Sequence, residues 1–280
     1  PLEQREVGTL RVETRARLHR PDRPRARRRQ DAEPPLPLRV IAEGDRRVGH
    51  EVERLALLLG SRARSFVALA VFCLGLREGL LGSDDLHLLR KCPCPVWMIK
   101  PRLSGTFDCI VVAVDVDDGY PSDELEGRRA LNRQLMEMAT SLALSEFAEL
   151  HVVHAWEAIG EGVMRSGFLG TDEEGVKAYV KAVERHHGEN LHTLMRETVD
   201  RLGPEAARYL KPNAHLVNGW ARKEIPARIR ELRVVMGTVA RTGISGLLMG
   251  NTAEMILTQI DCSVLAAKPR GFVSPVTLAS

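Results

Sequence analysis

The stretch Val235-Met236-Gly237-Thr238-Val239-Ala240-Arg241-Thr242-Gly243-Ile244-Ser245-Gly246-Leu247-Leu248-Met249-Gly250-Asn251-Thr252-Ala253-Glu254 concentrates the residue types best suited to chemistry in this chain. Glycines let a backbone approach an anion closely, and successive free N–H groups leading into a helix N-terminus form a phosphate cradle. Gly250-Asn251-Thr252 stands immediately before a helical pattern at 252–260 and has this arrangement. A Gly-rich strand-to-helix turn serves equally well as a tight turn without ligand, and the motif alone does not separate the two.

Other reactive residue types have structural readings. The five cysteines, Cys73, Cys92, Cys94, Cys109 and Cys262, are odd in number and lie in apolar surroundings, which suits reduced thiols in a cytoplasmic protein. Cys92-Pro93-Cys94 is too short for a zinc knuckle and has no second pair. His151 and His154 have odd spacing on one expected strand, so they point to opposite faces and do not share a metal. His186, His187 and His192, beside Arg185 and Glu189 on a polar helix, read as a solvated face. Glu254 and Asp261 have no paired carboxylate at catalytic spacing, and no Ser/His/Asp set can be placed. Trp97, Trp156 and Trp220 fall at strand ends, where core edge or domain contact is expected.

The elements that must position the Gly-rich turn alternate regularly. FDCIVVAVDV (107–116) is a continuous apolar run, as expected of a parallel strand covered on both faces. Leu131, Leu135, Met138, Leu142 and Phe147 recur at helical spacing within 128–147 and predict one apolar face. Strands follow at 148–156, 213–221, 234–240 and 262–269, with helices at 173–202, 223–232 and 252–260. Upstream, 37–100 reads as strand, helix, strand, helix, strand, ending in PVWMIK. The pattern predicts open, mostly parallel, doubly wound α/β sheets, with a ligand beyond the carboxyl ends of the strands. At 228–236, RIREL runs almost directly into RVVMG, although helix-to-strand loops usually need about 2–6 residues. Either the helix ends before Arg230 or residues are absent at this junction.

An internal repeat sets the domain organisation. At an offset of 168 the register holds without a gap from Gly75/Gly243 to Lys100/Lys268, with Gly82 on Gly250, Leu89 on Leu257, Cys94 on Cys262 and Val96 on Val264. Two copies of one α/β unit are expected, the first entering at about its third strand. The predicted divisions are an Arg/Pro-rich segment (1–36), a partial first copy (37–100), a linker (101–106), a complete second copy (107–270) and a C-terminal tail (271–280).

At this point the sequence resembles the universal stress protein family, specifically its tandem-domain E-type members. The resemblance is carried by VVMGTVARTGISGLLMGNTAE, by DLHLLRKCPCPVWMIK (85–100), by IVVAVD (110–115) and by the element order between them. It implies two tandem Rossmann-like domains of the adenine nucleotide alpha hydrolase type with parallel five-stranded sheets, the first incomplete. Members that bind ATP carry a G-2x-G-9x-G-(S/T) pattern. Here Gly237 and Gly250 match, Ala240 replaces the second glycine, and Asn251 replaces the Ser/Thr with Thr252 following. The family's adenine-side aspartate matches Asp115, which also suits the end of a strand as a turn former. The cofactor-binding positions so implied are Asp115, Met236, Gly237, Val239, Ala240, Gly250, Asn251 and Thr252. The implied ligand is ATP or another adenine nucleotide, with no metal site.

Composition bounds the rest. The 280 residues are 44% apolar and 28% charged, a globular balance, and no run approaches a membrane span or a secretory leader. The net charge of +3 is uneven: residues 1–90 carry 18 Arg and no Lys against 13 acidic residues, and ten of those Arg face four acids in the first 30. That leading block, without interleaved aromatics, reads as solvated, so nucleic acid is not the expected partner. The chain opens on Pro1 and its first methionine is Met98, so an incomplete N-terminus is expected. The resemblance, together with the lack of any catalytic constellation, implies a cytoplasmic stress-response protein, not an enzyme, that binds an adenine nucleotide weakly and acts through self-association or other family members. A dimerisation module without nucleotide and a slow ATP hydrolase are the alternatives.

Overall fold

The computed structural model describes residues 69–72, Leu89, 95–99, 107–166, 171–232, 236–238 and 251–268. In chain order these form β1 (Leu69–Phe72), β2 (Val96–Ile99), β3 (Cys109–Ala113), α1 (Ser122–Glu146), β4 (Glu149–Trp156), α2 (Glu161–Arg165), α3 (Glu173–Asp200), α4 (Pro204–Tyr209), β5 (Asn213–Asn218), α5 (Ala221–Glu231), β6 (Met236–Thr238), α6 (Asn251–Leu257) and β7 (Ser263–Ala266). The elements expected between 37 and 68 lie outside the described residues.

One seven-stranded sheet runs β1-β2-β7-β6-β3-β4-β5. Every neighbouring pair is parallel except β2 and β7. Within 107–268 the strand order reverses between β3 and β6, as in a doubly wound fold. There Val112 pairs with Thr238, so the segments leaving both carboxyl ends start side by side.

The uninterrupted apolar character of β3 follows from cover on both faces. Ile110 and Val112 enter a core with Leu135, Leu142 and Leu191 from α1 and α3, whereas Cys109, Val111 and Ala113 enter a second core with Ile225, Ile229 and Ile256 from α5 and α6. Burial pushes the Cys109 thiol up to about 11, with Glu149 and Asp108 adding to the shift, so it is a protonated core side chain at neutral pH. Cys262 is also buried, while Cys73, Cys92 and Cys94 lie outside the described residues.

Three details correct the sequence reading. Phe147 does not join the apolar face of α1: it is the C-cap, with φ 55° and 92% exposure. The helix instead starts earlier than expected, at Ser122, and buries Leu131, Leu135, Met138 and Leu142. Secondly, α5 continues through Arg230 to Glu231, and β6 begins at Met236, leaving four intervening residues, an ordinary loop length. Pro226 sits inside this helix and cannot bond the carbonyl of Arg222; the Gln259 side-chain amide donates to that oxygen instead, at 3.1 Å. Thirdly, Trp220 is exposed beneath the Arg222 guanidinium, whereas Trp97 and Trp156 are buried as expected.

Candidate functional site

A cavity of about 250 Å³ opens at the carboxyl ends of the strands. β3 and its extension contribute Ala113, Val114, Asp115 and Asp117; β4 and the residue after it contribute His154, Ala155, Trp156 and Glu157; α5 and α6 contribute Ile225, Thr252, Ala253 and Ile256. Gly219, which follows β5, shapes the wall: its φ of +123° and the 3.0 Å separation between a Cβ there and the Glu224 side chain favour glycine. Its N–H donates to the Trp156 carbonyl at 2.9 Å and ties the ends of β4 and β5 together.

Of the positions implied by the resemblance, Asp115 and Thr252 line this one cavity. Met236 and Gly237 lie in β6, and Asn251 starts α6. Val239, Ala240 and Gly250 lie outside the described residues.

Asp115 is heavily engaged. Its Oδ2 accepts from Arg128 Nη1 at 3.1 Å and from the Tyr120 hydroxyl at 3.1 Å, and Oδ1 accepts from the Asp117 N–H at 3.4 Å. The backbone is clamped as well, because the Asp115 N–H donates to Asn132 Oδ1 at 3.2 Å while Asn132 Nδ2 donates to the Asp115 carbonyl at 2.7 Å. The Arg128 guanidinium lies 3.4 Å over the Tyr120 ring and also holds Glu124 at 2.9 Å. Tyr120 lines this cavity, whereas Arg128 lines a second one of about 360 Å³ between α1 and α3, which shares Asp115 and Asp117.

The histidines contain what the sequence reading missed. His151 and His154 do lie on opposite faces of β4, but each meets another histidine. His151 Nδ1 lies 2.8 Å from His215 Nε2 in β5, and His154 Nε2 lies 3.0 Å from His187 Nδ1 in α3. His187 is therefore not on a solvated face: it is 8% exposed, stacked on Trp156, and lines the cavity. His186 does face solvent and bonds Asp118 at 2.8 Å. Burial lowers the pKa of His154, and burial next to His151 lowers that of His215; the hydrogen bond with Asp118 raises that of His186. Periodicity contained one clue, since His187 falls four residues before Leu191 and eight before Met195, both buried.

Among the described residues no group of three or more His, Cys, Asp or Glu is placed to hold a metal, and no helix is long and apolar enough to cross a membrane.

Sheet order, strand direction and a cavity at the strand reversal define an α/β protein of the Rossmann-like, doubly wound class. Residues 107–268 match the universal stress protein family, and the chain belongs to that family. It is similar to universal stress protein E of Escherichia coli K12 (31% identity over 199 residues; 69% of this chain and 57% of the relative). It is also similar to universal stress protein E of Photorhabdus laumondii (28% over 200 residues; 70% and 58%). The chain thus spans less than two thirds of the length of these curated relatives. A crystallised universal stress protein from Pseudomonas aeruginosa UCBPP-PA14 has the same fold, with a TM-score of 0.52, 25% identity and coverage of 82% of this chain and 81% of that one.

Proposed function

We propose that this chain is a stress-response protein that binds an adenine nucleotide weakly in the cavity at the carboxyl ends of β3 and β4 and acts through protein partners, itself or other family members among them. The observation that carries the reading is the convergence of Asp115 and Thr252, far apart in sequence, on one cavity beside the strand reversal. Asp115 would accept a hydrogen bond from the base or ribose, and Thr252 offers a hydroxyl beside Asn251 towards the phosphates. Ala240 adds a methyl group where the family pattern has glycine, which accounts for the weakness. The reading assigns no catalytic residue and places the protein in the cytoplasm.

Isothermal titration of the full chain with ATP, ADP and AMP tests the ligand. Heat at tens of micromolar protein is expected, and its absence with all three nucleotides overturns the reading. Ala240→Gly combined with Asn251→Ser should strengthen ATP binding. A second reading, a dimerisation module without nucleotide, is favoured by the occupied state of the Asp115 carboxylate. A dimeric mass that is indifferent to ATP, together with no heat of binding, would select it.

A further inference from the structure

The His154–His187 pair lines the cavity, and nothing in the family pattern accounts for it. Its hydrogen bonds fix the tautomers. His154 Nδ1 stands 3.2 Å from the Val114 carbonyl, which can only accept, so Nδ1 carries a proton. The neutral His154 ring then has a bare Nε2, and His187 Nδ1–H donates to it across 3.0 Å. An added proton therefore has one compatible seat. On His154 Nε2 it would set two N–H groups against each other; on His187 Nε2 it leaves both hydrogen bonds intact.

The cation formed there faces a defined set of groups. Trp156 stacks on it from the end of β4, and Glu157 follows just beyond that strand. Asp115 and Asp117 stand at the end of β3, Asp115 already partnered by Arg128 and Tyr120. On its own helix the neighbour is His186, held by Asp118. The corresponding pair on the other face of the sheet, His151–His215, does not line the cavity.

We propose that His187, seated on His154, makes this cavity select the charge of its ligand: the pair takes up one proton from solvent when an anionic nucleotide binds, and none when a neutral nucleoside binds. The proposal rests on the nucleotide reading above. Affinity for a ligand of fixed negative charge then rises as the pH falls through the histidine range, while affinity for its uncharged counterpart does not.

The experiment compares 3′,5′-cyclic AMP, whose phosphodiester keeps one negative charge throughout this range, with adenosine. Both are titrated into the full chain at about pH 8 and about pH 6, in two buffers of different ionisation enthalpy. The expected result is roughly fivefold tighter cyclic AMP at the lower pH, buffer-dependent heat showing proton uptake, and neither effect with adenosine. His187→Asn keeps a donor at the δ position but cannot be protonated, and should abolish the pH dependence while its melting curve remains cooperative. Binding of cyclic AMP with equal affinity and buffer-independent heat at both pH values overturns this proposal and leaves the nucleotide reading standing. No binding of either compound at either pH, with no heat from ATP, ADP or AMP, overturns both.

Discussion

Trp97 lies directly opposite Leu265 across the antiparallel β2–β7 pair, and the two residues are 168 positions apart, the offset of the sequence repeat. Val96 pairs with Ala266, and Met98 with Val264. Because Val96 corresponds to Val264 and Met98 to Ala266 in the repeat, the pairing exchanges equivalent positions about a local twofold at Trp97. Two copies of one strand thus close on each other as an isologous interface does. Lys268 extends the seam by donating to the Leu89 carbonyl across it.

That seam predicts a large cost for truncation. Trp97 is buried and stacked on Phe107, with ring centroids 6.0 Å apart, so Trp97→Ala should destabilise the protein by about 3–5 kcal/mol in a denaturant titration. Trp97→Phe should cost only about 1 kcal/mol, because the indole N–H is buried without a partner among the described residues and its removal relieves a desolvation penalty. Equal losses for both variants would refute this account.

Arg128 occupies the Asp115 carboxylate that the proposed nucleotide would use. Arg128→Met should vacate one acceptor position on Oδ2, lower stability by about 1 kcal/mol, and tighten adenosine binding severalfold. Calorimetry on the variant checks the binding and a thermal melt the stability; weaker binding in a folded variant would mean that the clamp presents Asp115 to the ligand.

Acid should weaken the fold through the histidine pairs. His154 and His215 have folded pKa values below the usual 6.5, so below about pH 6.5 the unfolded chain binds more protons than the folded one and stability falls with pH. The exposed His186–Asp118 pair acts the other way for histidine, since a raised folded pKa stabilises below the ordinary value and the benefit is lost as pH rises; solvent exposure keeps it small. Tm measured from pH 8 down to about pH 5 should therefore drop on the acid side, and His154→Gln should flatten the drop.

Phe147 adopts a left-handed conformation in which a side chain costs about 1–2 kcal/mol. With its ring in solvent and its N–H capping the Ala143 carbonyl, Phe147→Gly should retain the cap and raise stability by up to about 1 kcal/mol, read as a higher Tm. A lower Tm would show that the ring makes a contact worth more than the strain.

Within 107–268 the sequence by itself determined the order of the strands and the longer helices, though not the short α2 and α4, because each long element writes its burial in its own short-range period: β3 is apolar throughout since both faces are covered, and α1 repeats leucines at helical spacing. It also exposed the repeat and the Gly-rich turn, which are local patterns. Tertiary structure alone decided the partnerships. His187 shares a polar helix with His186, yet one turns onto His154 and Trp156 and the other onto Asp118, a difference set by which side of α3 the sheet covers. Asp115 was legible as a strand-end carboxylate, but its capture by Arg128 and Tyr120 depends on where α1 crosses the end of β3. Such contacts are set by how helices and sheet pack and not by any short-range period, and those of His154, His187 and Asp115 gain strength because packing withdraws them in part from water.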